Sequence, residues 1–169
     1  MAASDNLKQL ELHLRDHYAG AVGAMELIEH SAESHQGTAW GTFFTELQRE
    51  VSTDGEQLHN LMEALGFDDS SVRNAGAWLA EKLGRAKVGF SGGETSELRL
   101  LQTLDSLFLG ITGKLLLWRT LRSIRGSLPE LQKTDFDLLE KRAIDQLDKL
   151  EEKRVLAAQE SLGGVRGSA

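Results

Sequence analysis

The chain has 169 residues, a length for one domain or at most two small ones. It has no cysteine, which excludes a disulfide framework, a thiolate nucleophile and every zinc site built on sulfur. The net charge of -7 argues against nucleic acid and anionic membrane surfaces as partners, because both call for clustered Lys and Arg.

The start, Met1 to Asn6, has neither the basic residues nor the apolar stretch of a signal peptide, so a cytoplasmic location is expected. The first helix is expected over about Asp5 to Glu33, with Ser4 as its N-cap. Leu7, Leu10, Leu14, Tyr18, Ala21, Met25, Ile28 and Ala32 recur in three- and four-residue steps, the signature of one buried stripe. Ser34 to Gly37 interrupt the pattern, and Thr38 is placed to cap a second helix from about Ala39 to Leu65. Gly66 follows as a C-terminal stop. A shorter apolar pattern, about Ser71 to Leu83 with Trp78 on it, reads as a short helix inside a long connection. Ser91-Gly-Gly-Glu94 then reads as a turn and capping box.

The third long helix, about Thr95 to Ile124, is apolar on most sides, so more than one neighbour should bury it. Its most apolar run, Leu107 to Trp118, is broken by Lys114 and falls short of the roughly 18 residues of a membrane span, so no membrane is expected. Ser106, Gly110 and Gly113 form a strip of small residues where another backbone could approach. The basic residues Lys114, Arg119, Arg122 and Arg125 are scattered among leucines rather than massed as a polyanion site. Gly126 should end this helix, and Ser127-Leu-Pro-Glu130 should form a second capping box. The fourth helix is expected over about Asp135 to Ser161, giving one domain over 1–162 and a loose tail over 163–169.

Two short links and one long one make two antiparallel hairpins whose inner helices, the second and third, run parallel. In this the chain resembles the ferritin-like superfamily over about residues 4 to 161. The resemblance implies an all-α four-helix bundle with a long crossover containing a short helix. Many members of that superfamily hold two metal ions between carboxylates and histidines, and others have lost the site. The metal pattern is a Glu on each of two helices and Glu-x-x-His on each of the other two. One literal match exists, Glu56-Gln-Leu-His59. With Leu58 set at zero on a helical wheel, Glu56 lies about 160° away and His59 about 100° away, so the motif should face outward. Asp145-Gln-Leu-Asp148 and Glu26 should do the same, taking Leu147 as the inward direction of the fourth helix.

Other charges fall in or beside the stripes. His17, Glu11 and Glu29 flank the stripe of the first helix, and Asp54 takes a seam position between Val51 and Leu58. Leu98, Asp105, Thr112 and Arg119 recur every seven residues on the third helix, as do Glu140, Leu147 and Arg154 on the fourth, with Glu151 close by. One antiparallel register closes both Asp105 with Arg154 and Arg119 with Glu140, and both ion pairs are expected, since inward charges need partners. The competing reading is a degenerate acidic metal site made of His17, Asp54, Asp105 and Glu140 or Glu151, but guanidinium groups would neutralise its carboxylates. His13 and His17 have a metal-binding spacing, with His13 expected in solvent. Tyr18 is expected in the core with its hydroxyl reaching Asp54.

The expected function is therefore a non-catalytic bundle acting as a binding or assembly module with no cofactor, forming a homo-oligomer. Trp78 and Trp118 are either dimer-surface residues or core anchors, the latter preferred. Stress association is one role that the resemblance implies. The alternative is a dinuclear iron or manganese protein handling oxygen or peroxide. A third reading is an apolar ligand held in a cavity lined by Phe43, Phe108 and Leu115.

Overall fold

The structure, a computed structural model, describes residues 2–67 and 95–163 and places them in four long helices. These are α1 (Ala2–Ser34), α2 (Ala39–Ala64), α3 (Ser96–Ser123) and α4 (Phe136–Leu162). Two short 3-10 turns, Arg125–Ser127 and Pro129–Lys133, lie between α3 and α4. The expected short helix Ser71 to Leu83, with Trp78, and the Ser91 to Glu94 turn lie outside the described residues.

Local chemistry accounts for most of the boundaries. Between α1 and α2, Gly37 takes a left-handed conformation (φ 78°), which L side chains rarely adopt. Thr38 then caps α2 by accepting a hydrogen bond from the Gly41 amide. The turn is tight enough that a Cβ on Gly41 would overlap the carbonyl of His35. Gly41→Ala should therefore cost about 1–3 kcal/mol through overpacking. Gly20→Ala, on an open stretch of α1, should gain about 0.5–1 kcal/mol from helix propensity. Urea unfolding of the two variants checks the contrast, and an equal effect would show that the turn is loose.

At the other end of α2, the Phe67 amide bonds to the Met62 carbonyl and the Gly66 amide to that of Glu63. That is a Schellman closure, with Gly66 at φ 75°. Thr95 caps α3 by accepting from the Leu98 amide, and Asp135 caps α4 in the same way from Leu138. Three expectations fail. Helix α1 starts at Ala2, so Ser4 lies within its first turn and not at the expected N-cap position. Helix α3 ends at Ser123, before Gly126. No capping box forms at Ser127 to Glu130, because the chain there makes 3-10 turns that lack a side-chain cap.

Helices α1 and α2 pack as one hairpin, α3 and α4 as the other, and α1 also lies against α3. Two core clusters fix the directions. One joins Ile28 of α1, Phe44 and Leu47 of α2, Leu104 and Leu107 of α3, and Leu150 of α4. The other joins Leu14 of α1, Leu61 and Met62 of α2, Trp118 and Leu121 of α3, and Phe136 of α4. Both α2 and α3 run from the first cluster to the second, so they are parallel, as the long connection implied. Trp118 is 1% exposed and anchors the second cluster, so it is no dimer-surface residue in this bundle.

Helix α3 has an 18-residue window of mean hydropathy 1.3, so by length and composition it could cross a membrane once its flanks are counted. Leu104, Leu107, Leu115, Leu117 and Leu121 pack into the two core clusters while Leu109 and Leu116 are exposed, and Lys114 in mid-helix meets a carboxylate of α2. Among the described residues no backbone comes close to the two glycines of the small-residue strip: a Cβ on Gly110 or Gly113 would find nothing within 4 Å.

Candidate functional site

Asp54 sits where the stripe of α2 places it, between Val51 and Leu58, and its side chain is 1% exposed. A carboxylate so far from water needs partners. It receives Lys114 Nζ of α3 at 2.5 Å and Gln146 Nε2 of α4 at 3.0 Å, both on Oδ2. Lys114 also donates to Gln146 Oε1, which closes a three-membered ring of contacts. Arg142 Nη2 of α4 lies 2.8 Å from Oδ1, close enough for an ion pair though out of line for a hydrogen bond. The same guanidinium reaches the Glu50 carbonyl, and Lys149 pairs with the Glu50 carboxylate at the rim. Three helices are thus tied at one level. Burial pulls the Lys114 ammonium below the ordinary lysine range, and the attraction of Asp54 only partly offsets it.

The other expected charges lie at different levels. At one end Arg154 bonds to Glu151 Oε2 at 2.7 Å and to Asp105 Oδ1 at 3.2 Å. Its hydrogen bonds to Glu151 and then to Asp105 hold this guanidinium firmly charged, and Arg154 in turn pulls the Glu151 carboxyl below its usual range. At the other end Arg119 Nε lies 3.2 Å from Glu140 Oε2, and Arg122 Nη1 lies 3.1 Å from Oε1. Both expected pairs are therefore closed, in one register. They are less buried than their heptad positions implied: the Asp105 side chain is 48% exposed and that of Arg119 50%, while Glu140 is 10% exposed.

Helical rise separates the acids. Asp105 precedes Lys114 by nine residues, about 13 Å along α3, and Arg119 follows by five, about 7 Å. His17, half-buried on α1, packs edge-on against His13, with ring centroids 4.7 Å apart. Burial and then the His13 charge pull its pKa below the ordinary histidine value. The five residues His17, Asp54, Asp105, Glu140 and Glu151 therefore do not converge. Among the described residues no three His, Asp or Glu side chains are grouped to hold a metal ion. Glu56 is exposed, and His59 pairs with Glu63 at 3.3 Å. Glu26, Asp145 and Asp148 are exposed, as their phases implied. Tyr18 does not supply Asp54; its ring lies beside His59, centroids 5.9 Å apart.

Lys114, Gln146 and Arg142 are the residues that sequence reasoning missed. Leu147 is only half-buried, whereas Leu139, Ala143, Gln146 and Leu150 are buried. The inward axis of α4 is rotated by about 70° from the Leu147 direction, which swings Gln146 and Arg142 toward α2. One signal was available: a lysine within the apolar run of α3 requires a buried acid, and Asp54 was the acid in a seam.

Beside this layer lies a cavity of about 230 Å³, walled by α1, α2 and α3. Lys114, Trp118 and Asp54 border it, and His17 and Asp16 stand on the α1 side. Phe43, Phe108 and Leu115, expected to line a cavity, are instead part of the packed core or pressed against it. In comparison with known proteins, the chain matches no family model, no curated protein and no solved structure, so what stands is an all-α bundle of four long helices with a buried ionic layer at mid-height.

Proposed function

We propose that the chain is a ferritin-like bundle that acts as a non-catalytic binding or assembly module and carries no dinuclear metal centre. The reading rests on the state of Asp54. Its carboxylate lies at mid-height among three helices, where a metal centre would need free acidic oxygens, and both of its oxygens face cations. Lys114 and Gln146 engage one oxygen and Arg142 faces the other. A divalent cation would have to displace an ammonium and face a guanidinium, and the acids that could help it are a turn or more away along the helices. The parallel setting of α2 and α3, with two hairpins and a long connection, supports the ferritin-like arrangement.

Elemental analysis of protein made in iron- and manganese-supplemented cells tests this. The expected result is metal far below one equivalent per chain, unchanged in Asp54→Asn and in Asp54→Ala. Near-stoichiometric iron or manganese that is lost in either variant would overturn the reading in favour of oxygen or peroxide chemistry.

A further inference from the structure

Helix α3 is more apolar than its place in this bundle requires. Only 39% of its most apolar 18-residue window is buried. The excess lies on one face. Gln102, Ser106, Leu109, Gly113, Leu116 and Thr120 follow one another in alternating steps of four and three residues, the spacing of a coiled-coil seam. That seam carries no charge over about 27 Å of helix. Leu109 on it is 72% exposed and Leu116 55%. Two exposed leucines one heptad apart on an uncharged stripe mark an interaction surface, unlike apolar residues scattered singly.

The seam fits itself. Its small members, Ser106, Gly113 and Thr120, alternate with the larger Gln102, Leu109 and Leu116. In an antiparallel pair of such helices one register sets each large residue against a small one: Leu109 on Gly113, Leu116 on Ser106 and Gln102 on Thr120 of the second copy. A Cβ on Gly113 would meet nothing within 4 Å, so there is space for an incoming leucine. A parallel pair would set leucine on leucine and leave a gap between facing glycines. Charge selects the same orientation. Asp105, Thr112 and Arg119 recur every seven residues on the flank beside α4, where coiled-coil charges reach across to a partner. The antiparallel register brings Asp105 of each copy level with Arg119 of the other. Both side chains keep about half of their surface in water beside their partners within the chain. The opposite flank, Thr103, Gly110 and Leu117, is uncharged, so a parallel pair would bring no such charges together.

We propose that the outer face of α3 is a dimer interface: two copies of this chain pack it antiparallel about a two-fold axis level with Ile111, Leu109 and Leu116 seated on Gly113 and Ser106 of the other copy and Asp105 facing Arg119 along the flank. Such a contact is isologous, so one geometry serves both copies and the assembly closes at two. The inference deepens the assembly reading above and rests on it, with a second copy of the chain as the partner.

Sedimentation equilibrium on the full chain is expected to show a dimer at about 100 µM. Leu109→Glu/Leu116→Glu should raise the dissociation constant at least tenfold and leave the far-ultraviolet circular dichroism unchanged, since both leucines stand outside the core. The chain has no cysteine, so an introduced thiol is unique. Under mild oxidation a mixture of Ser106→Cys and Leu116→Cys should give mixed disulfide dimers, because these positions face each other. Either variant alone should stay unlinked, its two thiols about 15 Å apart along the helix axes and beyond the reach of a disulfide. A wild-type monomer at that concentration would overturn the proposal, whether residues 68–94 of the same chain or another partner covers the strip. So would a dimer that survives Leu109→Glu/Leu116→Glu, or ready linking of Ser106→Cys to itself. These results are separate from metal content: a metal-free monomer overturns the dimer alone, whereas stoichiometric metal overturns the module reading.

Discussion

Asp54→Ala is expected to lower the free energy of unfolding by about 3–5 kcal/mol, the cost of stripping one partner from a buried ion pair. The substitution leaves the Lys114 ammonium with Gln146 Oε1 as its acceptor and Arg142 without its carboxylate. Glu50→Ala, which removes only the rim pair with Lys149, should cost less than about 1 kcal/mol. Urea midpoints at constant slope measure both. A loss below 1 kcal/mol for Asp54→Ala would mean that water reaches the layer. The pH dependence gives an independent check. Lys114 holds its proton less tightly in the folded chain than in the unfolded one, whose lysine titrates near 10.5. Between the lowered value and 10.5 the unfolded state binds more protons, so stability rises with pH across that window. Lys114→Met should lack this rise; a parallel pH profile for the two proteins would show that burial does not disfavour the ammonium.

Removing Arg119 alone should cost only about 1 kcal/mol or less, contrary to what a fully buried pair would give. Its side chain is half exposed, and Arg122 reaches the other oxygen of Glu140. The double variant Arg119→Ala/Arg122→Ala strands Glu140, which is 10% exposed, and should cost about 3 kcal/mol. The excess over the summed single effects is the coupling that a double-mutant cycle isolates. Adding Glu140→Gln to the double variant should recover most of the loss. Strict additivity of the two arginines would mean that each serves a separate contact, Arg122 acting through Asp137 at 2.7 Å.

Reading the residues in order reaches the helices because periodicity and capping are local. Thr38, Gly66, Thr95 and Asp135 mark boundaries by chemistry within a few residues of themselves. It fails where two local signals compete, as at Ser127 to Glu130, whose capping pattern lost to the 3-10 turns entered at Pro129. It also fails on α4, whose alanine, glutamine and leucine at 143, 146 and 150 carry a weaker apolar signal than the heptad through Leu147. Buried Gln146 was invisible because an amide reads as a surface residue until its partners are known.

The residues alone determined four long helices, their two hairpins, the parallel middle pair and the register that joins Asp105 to Arg154 and Arg119 to Glu140. These follow from hydrophobic period, turn chemistry and the constant rise of a helix, all of which act along the chain. Only the tertiary structure decided that Asp54 meets Lys114, Gln146 and Arg142, that Asp105 and Arg119 stand half in water, and that a cavity opens beside Trp118. Those outcomes depend on the rotation of each helix about its own axis. That rotation is set by the summed packing of three neighbours, which no single stripe of residues contains.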